Sequence, residues 1–305
     1  MTTVAASASP LPAGITDPNY KPLPGREGNL TIPQQHALEK LKKELVADNV
    51  YIEGERRMSD AALLKYLRAR KFDVPKAKEM FLNTEKWRKE FGVDDIVKNF
   101  DFPEHREVDK YYPQYYHKND KDGRPVYIER LGQLDLKALY AATTQERQLK
   151  RFVLEYEKFI SERLPACSAA AGHPVETSCT IMDLHNVSLS NFYRVKDYVM
   201  QASRIGQDHY PECMGKFYII NAPFMFSTVW SFIKPWLDEV TVAKIDIIGS
   251  GYKDKLLAQI SADNLPKEFG GNCSCPGGCS LSDAGPWNTS DKVVESESGG
   301  KVLSA

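Results

Sequence analysis

The hydrophobic pattern divides the chain into a helical part and a part in which strands and helices alternate. Between residues 34 and 100, apolar side chains recur at helical spacing, as in Leu38, Leu41 and Leu45. From about residue 104, short apolar runs typical of buried strands alternate with segments of helical periodicity. This order predicts an α/β fold with an all-helical subdomain followed by a mostly parallel sheet flanked by helices.

Composition gives the expected domain bounds. Residues 1–33 are rich in proline and predict an irregular arm, and residues 34–100 predict the helical domain. The α/β domain is expected over residues 104–277. Residues 278–305 are rich in glycine, serine and aspartate, which predicts a flexible tail.

Residues 210–237 form the most apolar and aromatic stretch of a chain whose mean hydropathy is -0.44. Its first part, around Phe217–Ile220, predicts a buried strand, which Pro223 ends. The segment that follows predicts a helix that is apolar around most of its circumference. The side chains concerned are Phe224, Phe226, Trp230, Phe232, Ile233, Trp236 and Leu237.

Two interpretations fit this aromatic helix. It is either packed inside the protein core, or it is a lid that covers an apolar ligand and dips into a bilayer interface. Lys234 and Pro235 lie within the segment, and a fully buried helix would tolerate them poorly. They favour the mobile, partly exposed lid.

The overall charge excludes one class of partner. Forty basic and 41 acidic residues give a net charge of -1, so nothing indicates nucleic-acid binding. Between Arg56 and Lys89, however, eleven basic residues stand against four acidic ones. This excess fits either a solvated helical face or attraction to an anionic surface or phosphate.

The chain shows no targeting segment. Its first twenty residues lack a basic region followed by a long apolar run, and no run of 18 apolar residues occurs anywhere. We therefore expect a soluble, cytoplasmic protein whose six cysteines are free thiols.

Three cysteines cluster near the C-terminus in the segment CSCPGGC, at Cys273, Cys275 and Cys279. A structural zinc site requires four ligands, and no histidine follows Cys213 in the sequence. We therefore predict a tail turn at this segment and no metal site.

Five long segments carry a pattern of their own, and they are LLKYLRARKFDVPKAKEMF, YYPQYYHKNDKDGRPVY, LPACSAAAGHPVETSCTIMDL, YPECMGKFYIINAPF and NLPKEFGG. In order and spacing they resemble the CRAL-TRIO lipid-binding family with its N-terminal helical companion domain. The resemblance covers about residues 36–272 and is strongest to the family's fungal members that transfer phosphatidylinositol and phosphatidylcholine. It implies a hydrophobic lipid cavity that a mobile helix closes.

What the resemblance implies about function is a carrier and not an enzyme. Such a protein holds one phosphatidylinositol or phosphatidylcholine molecule, without any other cofactor, and exchanges it at membranes. The implied setting is the cytoplasm, with peripheral association with Golgi membranes in support of phosphoinositide synthesis and secretory traffic. The implied partners are the two phospholipids and a transiently contacted membrane surface, and the implied state is a monomer. An alternative that the sequence does not separate from transfer is a scaffold that senses lipid and presents it to a lipid kinase.

Phosphatidylinositol carries a phosphodiester and a polyol, so its site requires cations together with acceptors for hydroxyl protons. Glu212 alone would also fit an ordinary surface salt bridge with a lysine. The family's inositol-lipid residues match the following positions of this chain: Arg70, Lys71, Glu212, Thr241 and Lys244.

Phosphatidylcholine carries a quaternary ammonium, which aromatic faces hold best, beside a phosphate that hydroxyl groups can bind. The resemblance assigns these roles to Tyr116, Tyr127, Ser178 and Thr180. Without the resemblance, the two tyrosines would be interpreted as residues at the half-buried edge of the core. Gly270 and Gly271 are expected to be structural, through a positive φ or a close backbone approach.

Two rival functions are weighed against this one. A lipid-metabolising enzyme is disfavoured because the sequence lacks the G-x-S-x-G, H-E-x-x-H and Walker motifs. A carrier of a sterol or isoprenoid is disfavoured because a ligand without phosphate has no use for Lys71, Glu212 and Lys244.

Overall fold

The computed structural model describes residues 14–187 and 189–288, without the side chains of residues 189–197. Residues 1–13 of the predicted arm and residues 289–305 of the predicted tail therefore lie outside the described residues.

Four helices form the N-terminal part. The first three begin at side-chain caps, because Thr31, Ser59 and Asp73 each accept a hydrogen bond from the backbone amide three residues on. Gly92, at φ 74°, ends the third helix in the left-handed conformation. A leucine-rich core joins the first three helices. They are α1 (Ile32–Ala47), α2 (Asp60–Ala69), α3 (Val74–Phe91) and α4 (Val93–Asn99).

One five-stranded sheet forms the centre of the second part, with the strands in sequence order. The first pair is antiparallel, and the remaining pairs are parallel, which confirms the predicted fold class. The sequence predicts the last four strands but not the first, whose Tyr115 and His117 alternate with polar residues. The strands are β1 (Gln114–Asn119), β2 (Pro125–Glu129), β3 (Ser178–Asp183), β4 (Met214–Ile220) and β5 (Ile245–Ile247).

Helices cover both faces of this sheet. A π-helical turn at Phe159–Arg163 lies between two of them. The helices are α5 (His105–Asp109), α6 (Leu136–Ala142), α7 (Gln145–Lys158), α8 (Leu164–Ala171), α9 (Leu189–His209), α10 (Phe226–Ile233), α11 (Glu239–Ala243) and α12 (Lys253–Gln259).

The two faces of the sheet have different environments. Because side chains alternate along a strand, Ile128, Ile181 and Tyr218 point to one face, where they form a closed core with Leu256 of α12. The opposite face carries the neighbours of these residues and is only partly filled. That second face holds the candidate site.

The helical part joins the α/β part through α3. The indole of Trp87 stacks on the ring of His209, with ring centroids 4.1 Å apart. Arg88 is buried and pairs with Glu157 at 2.6 Å. A charge-assisted pair in this setting fixes α3 against α7 and α9.

The segment after Cys273 lies against β1. The amide of Lys118 donates to the carbonyl of Ala284 at 2.6 Å, and the Trp287 ring meets the Tyr116 ring edge-on at 6.3 Å. The predicted flexible tail therefore has two parts. Residues 278–288 pack on the sheet, and residues 289–305 lie outside the described range.

Candidate functional site

A cavity of about 500 Å³ lies between the second face of the sheet and helix α10. Its wall is almost wholly apolar. On the sheet side it is lined by Met182, Met214, Phe217, Ile219 and Ile245, and on the helix side by Phe226, Val229, Trp230, Ile233 and Leu237. A cavity of this composition accommodates hydrocarbon.

A smaller pocket of about 150 Å³ adjoins this apolar cavity. The two share Glu129, Met214 and Phe217 as lining residues, so they form adjoining parts of one site. The smaller pocket is polar and aromatic. It contains all four residues that the family resemblance assigns to choline-lipid binding, Tyr116, Tyr127, Ser178 and Thr180.

Strand register explains why these residues meet. Tyr116 pairs with Tyr127, Tyr127 with Thr180, and Thr180 with Phe217 across neighbouring strands. Phe217 in turn pairs with Ile245. Paired residues point to the same face, so one row of side chains runs from the aromatic pocket into the apolar cavity.

The aromatic pocket has a defined geometry. The rings of Tyr116 and Tyr127 lie 5.0 Å apart at 52°, and the hydroxyl oxygens of Ser178 and Thr180 lie 3.5 Å apart. Burial raises the pKa of both tyrosines, so their phenols stay neutral. Two aromatic faces thus stand beside two hydroxyl groups on the neighbouring strand.

Three charged side chains in this pocket, Arg151, Glu129 and Glu155, were not singled out from the sequence. Arg151 donates to the carbonyl of Gln114 at 3.1 Å, but its other terminal nitrogen, Nη1, is buried without a partner among the described residues. Glu129 accepts a hydrogen bond from the Tyr112 hydroxyl, and burial raises the pKa of its carboxyl. An unsatisfied buried donor beside two hydroxyls favours an anionic group at this point.

A second polar cluster surrounds Glu212. One of its carboxylate oxygens lies 3.9 Å from Lys244 Nζ, and the other lies 3.6 Å from Arg68 Nε. Arg68 also pairs with Glu176 at 3.2 Å, and Arg26 contacts the same carboxylate. The structure thus brings the predicted Glu212 and Lys244 together.

Cations outnumber acids in the Glu212 cluster, and they are poorly hydrated. Burial and the neighbouring Arg26 lower the pKa of Arg68 to about 10, and burial lowers the pKa of Lys65. Arg68 Nε has no hydrogen-bond partner among the described residues, because Glu212 lies too far away for one. Such a cluster attracts an additional anion.

The remaining predicted inositol-lipid residues occupy different positions. Thr241 lines the apolar cavity, and its hydroxyl donates to Asp238 at the start of α11. Arg70 and Lys71 follow the end of α2, and neither lines the two cavities described above. Lys71 is exposed at φ 51°. The structure therefore gathers part of this set and leaves Arg70, which is half-buried, and Lys71 outside both cavities.

Helix α10 and the residues that flank it carry two kinds of apolar side chain, and the regular helix ends at Ile233, earlier than predicted, with a 3-10 turn at Lys234–Trp236 after it. Phe226, Trp230, Ile233 and Leu237 line the cavity, as the helical spacing in the sequence suggests for one face. Phe224 is 97% exposed, although it also borders the cavity mouth, and Phe232 is 55% exposed with its ring packed edge-on against Trp236. Exposed aromatic side chains beside a cavity rim are typical of a surface that meets another apolar phase.

Gly270 and Gly271 follow the last turn of the domain. Gly270 has φ 96°, and a Cβ on Gly271 would lie 1.9 Å from the carbonyl oxygen of Leu265. Only glycine fits the second position without moving the backbone.

Comparison with known proteins shows the family. The CRAL/TRIO domain matches residues 109–271, the CRAL/TRIO N-terminal domain matches residues 36–83, and the chain belongs to this family. Within the described residues, no helix is both long and apolar enough to cross a membrane.

Individual relatives match between 72% and 91% of this chain. A Schizosaccharomyces pombe protein named Sec14 cytosolic factor is 56% identical over 277 residues, which are 91% of this chain and 95% of the relative. An Arabidopsis thaliana protein named phosphatidylinositol/phosphatidylcholine transfer protein SFH4 is 46% identical over 78% of this chain and 40% of its own. The crystal structure of Sfh5 shares the fold, with a TM-score of 0.59 and 19% identity over 72% of this chain and 82% of its own.

Proposed function

We propose that this protein carries one phosphatidylinositol or phosphatidylcholine molecule and exchanges it at membranes. One observation carries the proposal. The apolar cavity adjoins a pocket in which two aromatic rings and two hydroxyls converge. The acyl chains and the polar headgroup of one lipid therefore have adjacent binding sites. The relatives named as Sec14 cytosolic factor and as phosphatidylinositol/phosphatidylcholine transfer proteins support it.

For phosphatidylcholine, the choline group lies against Tyr116 and Tyr127, whose faces attract a cation that cannot donate a conventional hydrogen bond. The phosphate accepts from Ser178 and Thr180, and Arg151 Nη1 lies in the same pocket with an unused donor. The acyl chains then extend along the row that leads to Phe217.

For phosphatidylinositol, the headgroup lies at the cluster of Glu212 and Lys244. The carboxylate of Glu212 accepts from inositol hydroxyls, and the excess cations receive the phosphate. Thr241 borders this cluster from the cavity side, and Arg70 and Lys71 join it from the end of α2 when lipid is bound.

Helix α10 acts as the gate. Its inner side chains contact acyl chains, while Phe232 on the helix and Phe224 just before it enter the bilayer interface and so open a path for the lipid. The protein does this as a cytoplasmic monomer that associates peripherally with Golgi membranes. It catalyses no reaction, needs no cofactor beyond the bound phospholipid, and presents phosphatidylinositol to a lipid kinase.

The test is to identify the bound lipid directly. The purified chain is incubated with liposomes that contain phosphatidylinositol, phosphatidylcholine, a sterol and an isoprenoid, reisolated, extracted with solvent, and analysed by mass spectrometry. We expect about one phospholipid per chain, of the two proposed classes. Recovery of only sterol or isoprenoid, or of lipid breakdown products that accumulate with time, would contradict the proposal.

A further inference from the structure

Four side chains with metal-ligating atoms converge where the C-terminal segment meets β1. They are His117, Cys273, Cys275 and Cys279, and their ligand atoms all lie within 4.8 Å of one another. Three thiols and one imidazole are a donor set that structural zinc sites use.

From the sequence alone we expect no metal here, because no histidine follows Cys213. In the fold, the fourth ligand is a histidine that precedes the three cysteines in the chain. His117 lies on β1, 156 residues before Cys273 in the chain, yet its ring nitrogen Nε2 lies 3.4 Å from the Cys273 sulfur. Ligand spacing along a sequence cannot reveal a pair of this kind.

Two of the ligand separations agree with tetrahedral coordination, and the others are at most 4.8 Å. Zinc–sulfur bonds of about 2.3 Å and zinc–nitrogen bonds of about 2.0 Å place two sulfurs roughly 3.8 Å apart and a sulfur and a nitrogen roughly 3.5 Å apart. The sulfurs of Cys273 and Cys275 are 3.7 Å apart, and the His117–Cys273 distance is 3.4 Å. Little movement is needed to bring all four atoms onto one ion.

The surroundings orient the ligands. The hydroxyl of Ser282 lies 3.4 Å from His117 Nδ1, the nitrogen that points away from the cysteines. A partner on that nitrogen leaves the lone pair of Nε2 directed at the thiols, which is the usual arrangement around a metal-bound imidazole. The His117 side chain is 0% exposed, so its orientation is fixed by packing.

The cysteine loop is shaped to return to the same point. Gly277 and Gly278 both have positive φ, at 75° and 99°, and the amide of Gly278 donates to the carbonyl of Cys275 at 3.0 Å. This turn reverses the chain between Cys275 and Cys279. The amide of Cys273 is held by the carbonyl of Leu265 at 3.1 Å.

We propose that His117, Cys273, Cys275 and Cys279 hold one structural zinc ion. All four positions of the ion are filled by protein, so it is closed to substrate and serves stability. Three cysteines cannot all be satisfied by a disulfide, whereas one zinc ion uses each of them as thiolate.

The zinc site would also fix one wall of the aromatic pocket. His117 follows Tyr116 directly in β1, and the cysteine loop leads to Asp283, which accepts from the indole of Trp287 at 3.0 Å. Trp287 in turn packs against Tyr116. Loss of the ion is therefore expected to loosen the Trp287 contact.

The first test measures the metal itself. The full chain is expressed without an affinity tag that binds metals, dialysed against metal-free buffer, and analysed by plasma mass spectrometry. We expect about one zinc per chain and, after replacement by Co²⁺, the visible absorption of a tetrahedral thiolate site. Absence of metal, or iron with acid-labile sulfide in its place, would overturn the proposal.

Variants locate the ion. We expect Cys275→Ser and Cys279→Ser each to lose most of the zinc and to melt at a lower temperature, whereas Ser274→Ala, an exposed residue of the same loop, keeps both unchanged. Zinc retained in both cysteine variants at the wild-type level would overturn the assignment.

Thiol reactivity gives a readout that does not depend on variants. In the native wild-type protein, a chelator should increase the number of rapidly reacting thiols and release zinc in parallel. An intact mass that shows a disulfide among these cysteines, or thiols whose reactivity is insensitive to chelator, would contradict the site.

Discussion

Glu212 lies between two cations from different parts of the chain, with Lys244 Nζ 3.9 Å from one carboxylate oxygen and Arg68 Nε 3.6 Å from the other. Neither distance is a good hydrogen bond, so the carboxylate and both cations keep bonding capacity for a ligand. Glu212 also has φ 57°, a backbone conformation that is uncommon for a residue other than glycine. Such strain is found where a side chain must be directed into a site.

Arg68→Ala should destabilise the protein. The Arg68 side chain is 10% exposed and contacts Glu176, Glu212 and the Gly25 carbonyl, so its removal leaves these acceptors poorly compensated. We expect a loss of about 1–3 kcal/mol in the free energy of unfolding, measured by urea denaturation.

The control for that loss is Lys42→Ala, which removes an ion pair with Asp60 whose lysine side chain is 35% exposed. This variant should lose less than about 1 kcal/mol. An equal loss in both variants would show that Arg68 is no more than a surface ion-pair partner.

Tyr116→Leu and Tyr127→Leu should reduce phosphatidylcholine transfer and leave phosphatidylinositol transfer nearly intact. Loss of one aromatic face removes about 0.5–2 kcal/mol of cation–π attraction, which corresponds to roughly 2- to 30-fold in binding. Transfer of each radiolabelled lipid between vesicles measures the effect. Tyr140→Leu, at an exposed tyrosine outside both cavities, is the control, and a parallel loss of both lipids would contradict the assignment.

Phe224→Asp combined with Phe232→Asp should weaken vesicle binding without emptying the cavity. Both side chains are largely exposed, and burying each in a bilayer interface contributes about 1–3 kcal/mol. Cosedimentation with liposomes measures binding, and Ile52→Asp, at an exposed residue of the helical part, is the control. Unchanged sedimentation would rule out these side chains as the membrane contact.

Glu129→Gln should stabilise the protein more at neutral than at acidic pH. Burial raises the pKa of this carboxyl, so the folded state holds the proton more tightly than the unfolded chain does. The free energy of unfolding therefore falls as the pH rises from the unfolded-state pKa through the folded-state pKa. Glutamine does not ionise, so the variant lacks this loss of stability at higher pH, and its amide oxygen still accepts a hydrogen bond from the Tyr112 hydroxyl.

Urea denaturation at about pH 4 and about pH 7 measures the difference. The gain of the glutamine variant over wild type should grow with pH. A gain that is the same at both values would mean that Glu129 ionises as an exposed carboxyl does.

How much of this structure the sequence predicts depends on how far apart in the chain the interacting residues lie. Periodicity gives the α/β order and the apolar face of α10, because these depend on residues close together in the chain. The meeting of Tyr116, Tyr127 and Thr180 depends on strand register, which periodicity does not give, and only the family resemblance names these residues together.

Pairs between distant residues could not be predicted in this way. Arg68 and Glu176 are 108 residues apart, and β1 itself was missed because its buried positions are a tyrosine and a histidine. Ion pairs and metal ligands of this type have no local signal, since any basic or acidic surface residue shows the same pattern.

Separate headgroup sites are tested by measuring the transfer of both phospholipids by the Lys71→Ala, Lys244→Ala double variant. If these lysines serve the inositol headgroup, phosphatidylinositol transfer falls by ~10-fold or more while phosphatidylcholine transfer stays within about twofold of wild type. Lys40→Ala with Lys86→Ala, at two exposed lysines, is the control for the same change in charge. Equal loss of both lipids in the first variant would contradict separate headgroup sites in one shared cavity.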